Sequence, residues 1–228
     1  MIDHAHDLDC VRDATERLLT AVAKLDNASL TEPSRLPGWT RGHVLAHLAR
    51  NADALVNVLE GRPMYPSAET RDADIERDAP RPLDVQLADV RESAAGFQET
   101  GAAPADWTRT VELRNGVTDS ASRVPFRRWV EVELHHVDLG VGYELEDLPA
   151  EFTEREIDFL ARRFSGHPDV AATRVTDSTR AWSTGREAAE PEVTVSGSPA
   201  DLLGWLAGRR DGAALAATGG MLPQLPPL

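Results

Sequence analysis

Cysteine is almost absent. Cys10 stands alone in 228 residues, which excludes an internal disulfide and any cysteine-based zinc cluster. If thiol chemistry occurs here, the thiol comes from elsewhere. Lysine is equally scarce, Lys24 being the only one of the 24 basic residues that is not arginine, and isoleucine occurs only at Ile2, Ile75 and Ile157. With abundant alanine, that is the residue usage of a G+C-rich genome. Basic charge is also in deficit, since 24 Lys+Arg against 38 Asp+Glu leave a net charge of −14. Nucleic acid and anionic membrane surfaces both need a basic face, so neither is an expected partner. No apolar run approaches the ~20 residues of a spanning helix. The first residues carry neither a basic leader nor an apolar signal core, so a cytoplasmic protein is expected.

What is present is helical spacing. Leu8, Val11, Ala14, Leu18, Leu19, Val22 and Leu25 recur at three and four, predicting an amphipathic helix over 4–25. After the turn Leu36-Pro37-Gly38-Trp39, Thr40 is an N-cap candidate for a second long helix that Gly61 ends. A short polar helix is expected over 69–77, a third long helix from Leu83 to near Gly101, and a hairpin or long connection around Asn115-Gly116. Pro125 then opens a fourth long helix with Val130, Leu134, Val137 and Val141 on one stripe. Four long helices predict a bundle. Beyond the acidic stretch 144–149 the pattern becomes a helix over 153–164, strands over 171–175, 180–183 and 192–196, and a helix over 199–209. The last residues, 221–228, read as an extended surface segment. The fold class is α+β, with a helical bundle over 1–148 and a small C-terminal domain over 149–228.

The chemistry gathers on the fourth helix. Glu131 and His135 are four apart, so their side chains share one face beside the apolar stripe. A carboxylate and an imidazole directed into a bundle make two-thirds of a catalytic zinc site. On the second helix His47, between Val44, Leu48 and Asn51, is the candidate third ligand. His43 competes with His47, and His136 with His135; the preferred pair lies next to the stripes, whereas His43, His136 and Glu133 are expected to point away. Asp138 is a candidate to orient a ligand or an ordinary surface carboxylate. Cys10 is expected to be a small buried side chain without a catalytic role.

These residues resemble a family. Leu36-Pro-Gly-Trp-Thr-Arg-Gly-His-Val-Leu-Ala-His47, with Glu131-Val-Glu-Leu-His-His-Val-Asp-Leu-Gly140, is similar to the signature segments of the mycothiol-dependent maleylpyruvate isomerases, which carry a DinB-like metal-binding bundle. Pro63-Met-Tyr-Pro-Ser-Ala-Glu-Thr-Arg71 and the segment from Val193 to Arg209 extend the likeness into the middle and the small C-terminal domain, while 102–122 matches least. The resemblance implies zinc, or another divalent metal, on His47, Glu131 and His135, and catalytic roles for Arg71 and Arg209. It implies mycothiol as the thiol cofactor and a small dicarboxylate as substrate. Maleylpyruvate would become fumarylpyruvate by thiolate addition, rotation about the bond made single, and elimination, with arginine forks on the carboxylates. It also places the end of the last helix, with Arg209, over the metal. A monomer is expected. Two other readings stay open: a mycothiol S-transferase of the same superfamily, which would consume the thiol, and a non-catalytic DinB-like binding module.

Overall fold

The computed structural model describes residues 3–227. The chain divides into two compact units, the first running to Tyr143 and the second starting at Glu144. In the first unit, α1 (His4–Val22), α3 (Arg41–Leu59), α5 (Leu83–Ala102) and α6 (Val124–Asp138) close a ring in which α1 touches α5 and α6, and α3 touches the same two. Two short helices, α2 (Asn27–Leu30) and α4 (Ala68–Asp78), lie on the connections flanking α3. Strands β1 (Thr110–Glu112) and β2 (Thr118–Ser120) pair antiparallel between α5 and α6, and Asn115 and Gly116 take the left-handed backbone their turn demands, with φ of 60° and 71°. The core between the four long helices holds Val11, Leu18, Val44, Leu45, Leu48, Leu55, Phe97 and Trp129.

Local chemistry sets the helix ends. Asp3 caps α1 by accepting from the amides of Ala5 and His6. Thr40 caps α3, and His43 reaches back so that its Nδ1 lies 3.2 Å from the Thr40 amide and 2.7 Å from its hydroxyl, closing a capping box. Gly42 then lets α3 approach α4 closely, because a Cβ there would sit 2.2 Å from the Ala79 carbonyl oxygen. The buried Gln86 amide donates into the same junction, to Gly42, Asp78 and Ala79 carbonyls at 3.2, 3.2 and 2.9 Å. Buried Asp78 at the end of α4 accepts from Arg50 of α3 at 2.7 Å and from Arg77 at 2.8 Å, and pairs with Arg81. Helix α4 is thereby pinned to the bundle at its C-terminal end.

The fourth long helix differs from its expected stripe. Val130 is only half-buried, and the buried set of α6 includes Arg128, Glu133, His136 and Asp138 together with Phe126, Trp129, Val132, Leu134 and Val137. Its charged residues find partners inside the fold, so the helix is buried nearly all round and one apolar stripe does not describe it.

In the second unit, α7 (Ala150–Arg163) and α8 (Pro199–Leu206) accompany a four-stranded sheet of β3 (Thr173–Thr176), β4 (Ala181–Thr184), β5 (Val193–Ser196) and β6 (Ala216–Thr218), in the order β4-β3-β5-β6. Only the central β3–β5 pair is parallel. Thr173, Val175, Val193 and Val195 are the buried alternates of β3 and β5, and α7 and α8 touch each other through faces carrying Phe152, Ile157, Leu160, Leu202, Leu203 and Leu206. Helix α8 is shorter than the spacing predicts: it stops at Leu206, and Gly208 turns the chain with φ 68°. Arg209 therefore lies beyond the helix rather than on it, its amide on the Gly204 carbonyl at 2.7 Å and its guanidinium on the Ala207 carbonyl at 2.8 Å. The segment 221–227 has no regular structure, and Leu228 lies outside the described residues. Among the described residues no helix is long and apolar enough to cross a membrane.

Candidate metal centre

Three side chains from two neighbouring helices converge. Glu131 and His135, one turn apart on α6, meet His47 from α3, and each of the three offers a ligand atom within 4.8 Å of the others. His47 Nε2 lies 2.9 Å and His135 Nε2 3.3 Å from the same oxygen, Glu131 Oε2, and the two imidazoles stand edge to face at 4.6 Å. In a tetrahedral zinc site, bonds near 2.1 Å put donor atoms about 3.4 Å apart, so these spacings and this two-imidazole, one-carboxylate set fit a divalent metal. His47 and His135 are largely enclosed, whereas Glu131 keeps 33% of its side chain exposed.

The surroundings polarise the trio. Burial, partly offset by Glu131, lowers the His47 pKa to about 4 and keeps the ring neutral. Burial also opposes charge on His135, but hydrogen bonds to Asp138 and Glu131 outweigh it and raise its pKa. For Glu131 burial favours the neutral acid, yet both imidazoles override it and hold the carboxyl well below its ordinary value. Asp138, fully buried, has Oδ2 2.9 Å from His135 Nδ1, so that nitrogen keeps a proton and Nε2, which faces Glu131, is the nitrogen that can give up its proton and ligate. Arg71, on α4, places Nη2 3.3 Å from His47 Nδ1, holds Asp72 through Nη1 at 2.6 Å, and lies over the Tyr65 ring at 6.0 Å. The Trp39 ring stands 5.5 Å from that of His47. A cavity of about 540 Å³ opens beside Tyr65, walled by Met64 and Ser67 and by Arg109, Val111 and Arg114 around the β1–β2 hairpin.

The rival histidines are set aside for reasons other than solvent. His43 spends Nδ1 on the Thr40 cap and has Nε2 3.4 Å from Glu76. His136, expected to face water, is buried and stacked on Tyr143 at 4.0 Å. Glu133 points away from the trio but into the protein, where it accepts from Arg17 at 2.6 Å, Trp129 Nε1 at 3.0 Å and Tyr143 at 2.8 Å. Cys10 is half-buried, with Sγ 3.6 Å from His6 Nε2. Sequence reasoning missed Arg128: buried, its pKa lowered by desolvation to about 10, it donates through Nη1 to the Leu48 carbonyl and to Asn51 Oδ1, both at 2.8 Å. It ties the ligand-bearing turn of α6 to the residue after His47. The available signal was an arginine three residues before Glu131 in a chain where arginine is common, which distinguishes nothing.

Residues 11–140 match the family model described as the mycothiol maleylpyruvate isomerase N-terminal domain, and 147–227 match the MDMPI C-terminal domain. A crystal structure of the mycothiol-dependent maleylpyruvate isomerase is similar with a TM-score of 0.89 and 27% identity over 99% of this chain and 97% of that one. A histidine-to-alanine mutant of that enzyme is similar at 0.88 and 26% over the same shares. No curated protein matches the chain. With one family model spanning more than half of its length and a second covering most of the remainder, the chain belongs to the mycothiol maleylpyruvate isomerase family.

Proposed function

We propose that this protein is a mycothiol-dependent maleylpyruvate isomerase, converting the cis-alkene diacid maleylpyruvate into trans fumarylpyruvate. The observation that carries the reading is the convergence of His47, Glu131 and His135 in a chain of this family. These three would hold the metal, proposed as zinc from its nitrogen and oxygen donors. A metal held there would supply the Lewis acidity that lowers the pKa of a neighbouring thiol and so favours the thiolate, the nucleophile whose transient addition would make the alkene bond single.

The chain's own residues do the rest. Asp138 keeps the His135 proton on the outer nitrogen, and the neutral His47 needs no deprotonation to act as a ligand. Trp39, packed beside His47, shields that ligand from water. Arg71 presents a planar fork next to the trio, suited to a substrate carboxylate and to enolate charge. Arg209 is proposed as the second fork on the likeness of the segment ending there, since a diacid offers two carboxylates.

Purified enzyme should isomerise maleylpyruvate only when mycothiol is added, and the free thiol should be recovered in full. His47→Ala should lose zinc, by elemental analysis, and activity together while keeping its helicity. Stoichiometric loss of free thiol would make the protein an S-transferase instead, and full zinc occupancy in the His47 variant would remove the ligand assignment.

A further inference from the structure

The outer nitrogens of the two imidazoles face opposite chemistries. His135 Nδ1 lies 2.9 Å from Asp138 Oδ2, an acceptor, which holds a proton on the outer nitrogen and leaves Nε2, on the Glu131 side, as the one free to ligate. His47 Nδ1 lies 3.3 Å from Arg71 Nη2, and a guanidinium can only donate. That hydrogen bond needs the lone pair on Nδ1 and therefore the proton on Nε2, the nitrogen 2.9 Å from Glu131 Oε2. A neutral imidazole has one donor and one acceptor. A metal taken up at Nε2 moves the His47 proton to Nδ1, where it meets the Arg71 N–H, donor against donor. The guanidinium charge opposes the metal charge in the same sense. Asp138 thus favours a metal on His135, and Arg71 opposes one on His47.

We propose that Arg71 couples metal binding to anion binding: it holds the metal affinity of the site below what the three ligands alone would reach, and a dicarboxylate that draws its guanidinium away from His47 tightens the metal. The inference rests on the reading of His47, Glu131 and His135 as the metal ligands. Coupling between two ligands is reciprocal, so the metal tightens the dicarboxylate by the same factor.

The test reads zinc affinity rather than turnover. Full-length protein, stripped of metal, is titrated with zinc against a competing chelator, without thiol, with and without maleate. Arg71→Gln places a carbonyl oxygen where Nδ1–H needs an acceptor, and it should bind zinc roughly tenfold more tightly than wild type, the scale of one restored buried hydrogen bond. Arg71→Met, which removes the donor and the charge but supplies no acceptor, should fall between the two. Arg71→Lys keeps donor and charge and should stay near wild type. Maleate should tighten zinc on wild type and leave Arg71→Gln unchanged. Zinc binding by Arg71→Gln and Arg71→Met no tighter than wild type, or an equal maleate effect on wild type and Arg71→Gln, would overturn the coupling alone. Equal zinc affinity of wild type and His47→Ala would overturn the ligand reading and the coupling with it.

Discussion

At the scale of single residues, the buried polar groups fall into two sets that burial alone does not separate. Asp138 and Glu133 are both fully buried carboxylates on α6, but the first bonds a candidate ligand and the second bonds Arg17, Trp129 and Tyr143. Their substitutions should therefore report on different properties. Asp138→Asn can present an amide donor to His135 Nδ1, losing control of the tautomer, and zinc affinity in a chelator competition should fall about 10–100-fold, as for other outer-shell partners. Glu133→Gln leaves the trio untouched but removes the charge from three hydrogen bonds. It should lower unfolding free energy in urea by about 1–3 kcal/mol, with zinc stoichiometry unchanged. If Glu133→Gln lost metal while remaining folded, the site would extend along α6 beyond the trio.

At the scale of elements, the site depends on the spacing of α3 and α6 and on where α4 ends. Arg128 spans the first gap, and Asp78, Gln86 and Gly42 fix the second. Burial alone would raise the Asp78 pKa, but Arg77, Arg81 and Arg50 outweigh it, so the folded-state value lies below the unfolded one. A depressed carboxyl pKa contributes stability that is fully present above the unfolded value of about 3.9 and is lost as pH falls through the folded value. Asp78→Asn should therefore be less stable than wild type at neutral pH, and the gap should close progressively below about pH 4. Urea melts across a pH series check this; a gap independent of pH would mean that the Asp78 charge contributes nothing. The expected helices over 4–25, 69–77 and 83–101 correspond to α1, α4 and α5 with ends shifted by a few residues, because caps and close contacts decide where helices stop. The four residues of α2 and the three of β6 escaped notice because neither is long enough to show a period.

At the scale of the whole molecule, each unit has its own core, and the metal ligands lie in the first while Arg209 lies in the second. A chain ending at Leu148 should therefore take up zinc as the full-length protein does, yet fail to isomerise maleylpyruvate. Arg209→Lys in the intact chain should keep its zinc and lose most of its turnover, because lysine retains the charge but not the bidentate fork. Isomerisation by the truncated chain at the full rate would remove Arg209 from the reaction. The net charge of −14 adds a constraint on any dianionic substrate: it repels at long range, so the arginines act only at short distance, where salt screens weakly.

The sequence by itself determined what depends on near neighbours. Spacing at three and four placed the long helices, and the i, i+4 relation of Glu131 and His135 set two side chains on one face whatever the rest of the chain did. The tertiary structure alone decided what depends on partners far along the chain. Glu133 and His136 read as surface residues because a charged or polar side chain is costly to bury unpaired; Arg17, 116 residues away, and Tyr143 supply the pairing that makes burial tolerable. Arg71 looks like any other arginine until α4 is folded against α3, because its contact with His47 follows from a Cβ-free approach at Gly42 and a buried glutamine, neither of which has a period to read.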